Sequence, residues 1–134
     1  MKLPRRRFLQ LAAGAAALPA SHSAFADTYP SRPVRILVGF PPGAATDIVG
    51  RLMAQALSER LNQQFFVENR PGAGSNLAAD VVAKAAPDGY SLLAMTVTNA
   101  VNETLYQNLD FDFMHDITPV ARTILSANVL VVNL

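Results

Sequence analysis

Three short stretches of this 134-residue chain bring glycine, hydroxyl and amide groups to the start of a candidate helix. They are Phe40-Pro41-Pro42-Gly43-Ala44-Ala45-Thr46-Asp47, Gly72-Ala73-Gly74-Ser75-Asn76 and Thr96-Val97-Thr98. A strand–loop–helix junction directs unpaired N–H groups and the positive end of a helix dipole at one place, which attracts an anion. A small carboxylate needs several convergent N–H donors and a few hydroxyls, and residues 43–46, 74–76 and 96–98 can supply both. Taken singly, each position also has a plain structural role, with Gly43 and Gly72 as turn residues and Thr46 and Thr98 as caps. Asp47 is ambiguous, because its charge repels a carboxylate unless it faces the helix dipole or a ligand amine.

Other chemistries fit less well. Gly72 to Leu77 satisfies only the first half of a dinucleotide fingerprint, with Leu77 where a third small residue belongs and no acidic residue about 20 positions on. A phosphate loop ending in Gly-Lys-Ser/Thr is missing, and the three loops contain no Lys. Beyond residue 26 there is one histidine, His115, and no Gly-x-Ser-x-Gly elbow to pair with it. Asp110, Asp112, His115 and Asp116 match neither an EF-hand nor a zinc spacing, and capping or turn roles suit them better. There is no cysteine, hence no disulfide, thiol nucleophile or cysteine metal site. The expectation is a protein that is not an enzyme and has no cofactor or metal.

Charge is sparse and half the residues are hydrophobic, as in a globular domain. The 11 basic and 10 acidic residues are distributed unevenly. Lys2, Arg5, Arg6 and Arg7 open the chain, and no acid precedes Asp27; without those four cations the net charge is −3. The basic balance belongs to the leader, so nucleic-acid binding gains no support. Residues 1–26 read as a signal peptide: a basic start, an apolar stretch over 8–20, and Ala24-Phe25-Ala26 before the expected cleavage. Arg5-Arg6-Arg7-Phe8-Leu9-Gln10 resembles a twin-arginine export motif, the alternative being an ordinary Sec signal. Either route predicts a periplasmic protein. The apolar stretch is shorter than the roughly 20 residues a bilayer span needs, and no cysteine at the cleavage site offers a lipid anchor.

The loops need elements to hold them. Val34 to Val38 is almost wholly apolar, as expected of a buried parallel strand. Over residues 45–61, Ile48, Leu52, Ala56 and Val49, Met53, Leu57, Leu61 recur every four positions. That spacing predicts one buried helix face, with Arg51, Gln55, Ser58, Glu59 and Asn62 mostly off it. Residues 65–68 predict a second strand and 69–74 a loop. Ser75 or Asn76 is expected to cap a helix over 77–86 with Val81, Val82 and Ala85 as its apolar seam, ended by Pro87-Asp88-Gly89. Residues 91–97 predict a third strand, after which Thr98 or Asn99 caps a short helix reaching Tyr106. Residues 110–119 read as an irregular connection, and 120–125 and 128–133 as extended runs. This order predicts an α/β fold with a parallel sheet flanked by helices, and ligands bind outside the carboxyl ends of such strands. All three loops fall there.

Four motifs then occur in order: Tyr29-Pro30-Ser31-Arg32-Pro33-Val34-Arg35, the loop over 40–47, Glu68-Asn69-Arg70-Pro71-Gly72-Ala73-Gly74, and Ala85-Ala86-Pro87-Asp88-Gly89-Tyr90. Over residues 29–134 the chain resembles the Bug-type (TctC-like) extracytoplasmic receptors of tripartite tricarboxylate transporters. The resemblance implies a type II-like periplasmic binding protein whose two α/β lobes close on a small ligand, commonly a carboxylate, for the transporter's membrane subunits. It implies ligand contacts from Pro42, Gly43, Ala44, Ala45, Thr46 and Asp47 in the first loop. Gly74, Ser75 and Asn76 would contribute from the second, and Thr96 and Thr98 from the third. Where the family usually has Pro-Pro-Gly-Gly, this chain has Pro41-Pro42-Gly43-Ala44, and a Cβ at position 44 restricts the backbone.

Residues 27–134 suffice for one lobe. The expectation is an N-terminal lobe with the second lobe missing, truncated near the inter-lobe crossover, with the apolar run 129–132 left as an unpaired edge. The leading reading is a fragment of a solute receptor. The alternatives are a truncated product without ligand binding and a secreted enzyme of unknown type.

Overall fold

The computed structural model describes residues 28–125. The leader and the extended run 128–133 lie outside them. Three parallel strands form the centre: β1 (Val34–Val38), β2 (Phe65–Asn69) and β3 (Ser91–Ala94), in the order β2-β1-β3. Around them are α1 (Ala45–Leu61), α2 (Asn76–Ala83) preceded by a 3-10 turn at Ala73–Ser75, α3 (Val97–Leu105) and the short α4 (Phe113–Asp116). Register places Ile36 beside Val67 on one side and Leu92 on the other. The apolar run of β1 is explained by its central place: Val34, Leu37 and Val38 are fully buried. Because the chain runs from β1 to β2 and then back across to β3, the strand order reverses at β1. The crevice above such a reversal is where open α/β sheets bind ligands.

Helix α1 has the predicted bounds, but only part of the predicted face is covered: Val49, Met53 and Leu57 are half-buried, and the deepest residues are others. Asp47, Gly50 and Ala54 are its buried residues, whereas Ile48 and Leu52 are 52 % and 63 % exposed and Ala56 is exposed too. The reason is close packing. A Cβ on Gly50 would lie 3.2 Å from Val38 Cγ2, so the helix lies on the sheet through its smallest residues. Ala54 joins Val34, Ile36 and Phe65 in the core, with Leu57 and Val67 against it. Ser58, expected off the buried face, accepts the Phe65 N–H at 2.8 Å and donates to Ala54 O at 2.7 Å, which starts β2 beside the end of α1.

Later boundaries also shift. Strand β2 runs on to Asn69, and Arg70 N donates to Val38 O at 2.8 Å beyond it. Helix α2 spans 76–83 and buries Asn76, Ala78 and Ala79, leaving the expected Val81 and Val82 half-buried. Strand β3 stops at Ala94 rather than 97, and Thr96 rather than Thr98 or Asn99 holds the N-cap position of α3. Val97, expected to end the strand, and Thr98, expected as a cap, both lie in the first helical turn; the Asn99 side chain turns back to accept the Thr96 N–H at 3.1 Å. In the 110–119 connection, Asp112 caps α4 by accepting the N–H groups of Met114 and His115. Residues 120–125, expected to be extended, join no strand of the sheet.

Two of the four sequence motifs meet at the amino-terminal end of the strands, away from the loops. Tyr29 Oη donates to Gly89 O at 2.8 Å, Ser31 N donates to Tyr90 Oη at 2.9 Å, and Arg32 pairs with Asp88 at 2.8 Å while lying 4.2 Å above the Tyr90 ring. They latch the segment before β1 to the segment before β3. A cavity of about 360 Å³ lies beside this latch, lined by Arg32, Arg35, Phe66 and Tyr90 among others.

Replacing Ser58 with Ala strips the Phe65 N–H of its acceptor and is expected to cost about 1–3 kcal/mol. Leu52→Gln on the exposed row is expected to stay within about 0.5 kcal/mol. Urea melts of the two variants give the comparison.

Candidate functional site

The carboxyl ends of the strands open into residues 39–44, 70–75 and 95–96. Loop one begins at Gly39. A Cβ there would lie 2.6 Å from Ser75 Cα, so only glycine lets the first and second loops meet. Gly39 was not among the residues singled out from sequence; its role is a close approach that no local pattern marks. Gly43 has φ +86, a backbone that favours glycine, with open space where a Cβ would stand. Ala44 has φ −65 and ψ 156, which any residue adopts, so the Pro-Pro-Gly-Ala sequence carries no backbone penalty at its fourth position.

Asp47 is the organiser of this loop. It is 2 % exposed, and both carboxylate oxygens are engaged. Oδ2 accepts the Gly43 N–H and Arg51 Nε, each at 2.9 Å, and Oδ1 accepts Asn69 Nδ2 at 2.8 Å. The Arg51 bond, then the Gly43 and Asn69 bonds, hold its pKa well below the usual carboxylate range. Asn69 also donates to Phe40 O at 3.0 Å, and its Oδ1 accepts Arg51 Nη2 at 3.0 Å. Arg51 and Asn69 were missed as site-shaping residues. The Asp47–Arg51 spacing of four on a helix was a legible signal for the first, whereas Asn69 was read as part of a loop.

This bonding sorts the predicted donors. The Gly43 N–H is spent on Asp47 and the Ala44 N–H on Pro41 O at 3.2 Å. Ile48 N is the first to bond within α1, to Ala44 O. The N–H groups of Ala45, Thr46 and Asp47 make no hydrogen bond to a described residue and form the free end of α1. Pro42, in the turn, has no N–H to offer and is exposed. In the second loop, Gly74 and Ser75 have φ +63 and +77, and Ser75 N donates to Gly72 O. Ser75 stands before α2 without a side-chain cap bond. In the third, Thr96 Oγ1 lies 3.4 Å from Asn99 Oδ1, and Thr98 is half-buried in the first turn of α3. Ser75 Oγ, Asn76 Nδ2 and Asn99 Nδ2 are buried with no hydrogen-bond partner among the described residues. Such groups are uncommon in folded chains.

The site at these loops is built of neutral donors. The nearby guanidinium of Arg51 is committed to Asp47 and Asn69, and that of Arg70 to Glu68 at 2.6 Å. His115 and Asp112 pair with each other on α4 at 2.8 Å, and Asp116 Oδ2 accepts the Asp112 N–H, so these side chains serve the α4 cap.

A parallel three-stranded α/β unit with its loops at the strand reversal defines one lobe of a periplasmic binding protein. The chain belongs to the tripartite tricarboxylate transporter family of receptors, whose TctC profile matches residues 49–134. It is 44 % identical over 117 residues to a UPF0065 protein of Bordetella pertussis, covering 84 % of this chain and 36 % of the relative. It is 41 % identical over 98 residues to the protein BugT of the same organism, covering 72 % and 30 %. Among solved structures it is similar to MatC from Rhodopseudomonas palustris with bound malate, at a TM-score of 0.64 and 37 % identity over 71 % of this chain and 33 % of that one. A periplasmic transporter matches at a TM-score of 0.60 with 44 % identity, covering 63 % and 29 %. This chain therefore spans about a third of the length of these relatives. The family and its solved members are solute-binding receptors, not enzymes. No helix among the described residues is long and apolar enough to cross a membrane.

Gly39→Ala is expected to cost about 1–3 kcal/mol by overpacking, and Gly43→Ala about 1–3 kcal/mol by backbone strain. Ala44→Gly should lower stability by no more than about 1 kcal/mol. Thermal melts of the three variants distinguish close packing, strain and tolerance. Because the Asp47 pKa is lowered on folding, its contribution to stability is present above the unfolded carboxylate pKa of about 4 and is lost as pH falls below it. Melting temperature measured from pH 6 to pH 2 should therefore decline, and Asp47→Asn should be less stable at pH 6 and show a shallower decline.

Proposed function

We propose that this chain is the ligand-holding N-terminal lobe of a periplasmic receptor that delivers a small carboxylate to the membrane subunits of a tripartite tricarboxylate transporter. The observation that carries this reading is the gathering of three loops with unspent donors at the strand reversal, with the one acidic side chain among them fully neutralised. Free N–H groups of Ala45 and Thr46, the hydroxyls of Thr46 and Thr98, and the Ser75–Asn76 turn make a surface that favours an anion. The buried Asp47 carboxylate is matched by Arg51, so it does not repel one. Membership of the family supports the carboxylate, as does malate in the related MatC structure. The same membership supports a periplasmic location, with residues 1–26 as a cleaved leader.

One lobe gives a ligand contacts on one side. The share of its relatives that this chain spans supports a second lobe as the closing jaw, since burial on all sides is what gives small-ligand sites their affinity. Calorimetry with malate, succinate and citrate tests this reading. The segment 27–134 alone is expected to bind malate at least about a hundredfold more weakly than a receptor carrying both lobes. Failure of every small di- and tricarboxylate to bind the protein made from its complete reading frame would refute the receptor reading.

A further inference from the structure

Helix α3 turns its polar side inward. Asn99 and Asn102 are 1 % and 2 % exposed, while Val97, Val101 and Leu105 form an exposed row along the other side. Burying amides in preference to apolar side chains is unfavourable unless hydrogen bonds compensate, so the partners of these amides show what they serve. Asn102 Nδ2 donates to Gly74 O and to Asn76 Oδ1, both at 2.8 Å. Both acceptors lie in or directly after the second loop, 28 and 26 residues earlier in the chain. Contact there is close: a Cβ on Gly74 would lie 2.9 Å from Asn102 Nδ2. One turn earlier on α3, Asn99 Oδ1 accepts the Thr96 N–H and shapes the third loop.

These bonds also decide which end of each amide is left over. A side-chain NH₂ donates and does not accept, so the Asn76 atom facing Asn102 is its oxygen. The Asn76 NH₂ is then the group without a partner among the described residues. Asn99 is in the same state, with its oxygen engaged and its NH₂ unpartnered. Ser75 Oγ adds a hydroxyl beside them. All three groups need acceptors, or in the case of the hydroxyl can use one.

We propose that Asn102 is a positioning residue for the ligand site: it ties the second loop to α3, the helix that opens at the third loop, and orients Asn76 so that the resulting wall seeks acceptors. This rests on the carboxylate reading above and assigns that reading a residue that touches no ligand. An oxygen-rich ligand such as a dicarboxylate matches a wall of this polarity, and an ammonium does not.

The test uses the protein made from its complete reading frame, with malate as probe. Asn102→Asp keeps the size of the side chain and removes both donated bonds. Asn76→Asp keeps the oxygen that Asn102 binds and replaces the unpartnered NH₂ with an anionic oxygen. Each variant is expected to weaken malate binding by at least about tenfold in calorimetry, with circular dichroism confirming the native fold. Hydrogen exchange is expected to show the Ser75 and Asn76 amides exchanging faster in Asn102→Asp, while amides in β1 stay protected. Affinity within about twofold of the native protein in either variant, where the native protein binds, overturns the proposal. If the native protein binds none of malate, succinate and citrate, the carboxylate reading fails and hydrogen exchange decides: unchanged protection at Ser75 and Asn76 in Asn102→Asp overturns the positioning role, and lost protection sustains it.

Discussion

The buried Asp47 carboxylate is the interaction on which the upper edge of this lobe depends. It ties together three pieces of chain that have no other reason to hold a common geometry: the Gly43 turn, the second turn of α1 through Arg51, and the last residue of β2 through Asn69. A carboxylate taken out of water must be matched by donors or it destabilises the fold. Here five bonds link Asp47 and Asn69 to Gly43, Arg51, Phe40 and each other, so charge and backbone are satisfied together. The helix can consequently start close above β1, with its first N–H groups unbonded. A residue whose role was ambiguous in the sequence is thus the one that fixes the shape of this loop.

A second constraint is proximity. Gly39 and Gly50 remove side chains where the first loop meets Ser75 and where α1 meets Val38. The buried side of α1 is accordingly small, and its larger apolar residues Ile48 and Leu52 face outward. Helix α3 follows the same inversion, with asparagines inside and Val97, Val101 and Leu105 outside. Both helices attend to the loops on one side and leave apolar rows on the other. In relatives of which this chain spans about a third, the corresponding rows are surfaces available to further polypeptide.

Much of the architecture was legible from local pattern. A continuous β-branched run marks a buried central strand, and the bounds of α1 followed from its apolar period and the Pro-Pro-Gly turn before it. The parallel sheet and the placing of three loops at one edge followed from element order. Local pattern found only part of the covered face of α1, the row of Val49, Met53 and Leu57, and missed the deeper row of Asp47, Gly50 and Ala54, because periodicity reports where apolar residues recur and not how closely a helix approaches its sheet. The start of α3 was misplaced for a related reason: Val97 and Thr98 favour a strand, and the side chain of Asn99 overrides them by bonding back to Thr96.

The amino-acid sequence by itself determined the class of fold, the three glycine- and hydroxyl-bearing loops and the family. These depend on order, spacing and residue type, all of which are local. Tertiary structure alone decided that Asp47 is a lock, that Gly43 and Ala44 have no N–H to spare, and that Gly39 is the contact between two loops. It also decided that Asn102 reaches back to Gly74 and Asn76. Those assignments rest on hydrogen bonds and contacts between residues as many as 36 positions apart, formed only when the strands align and bring their ends together.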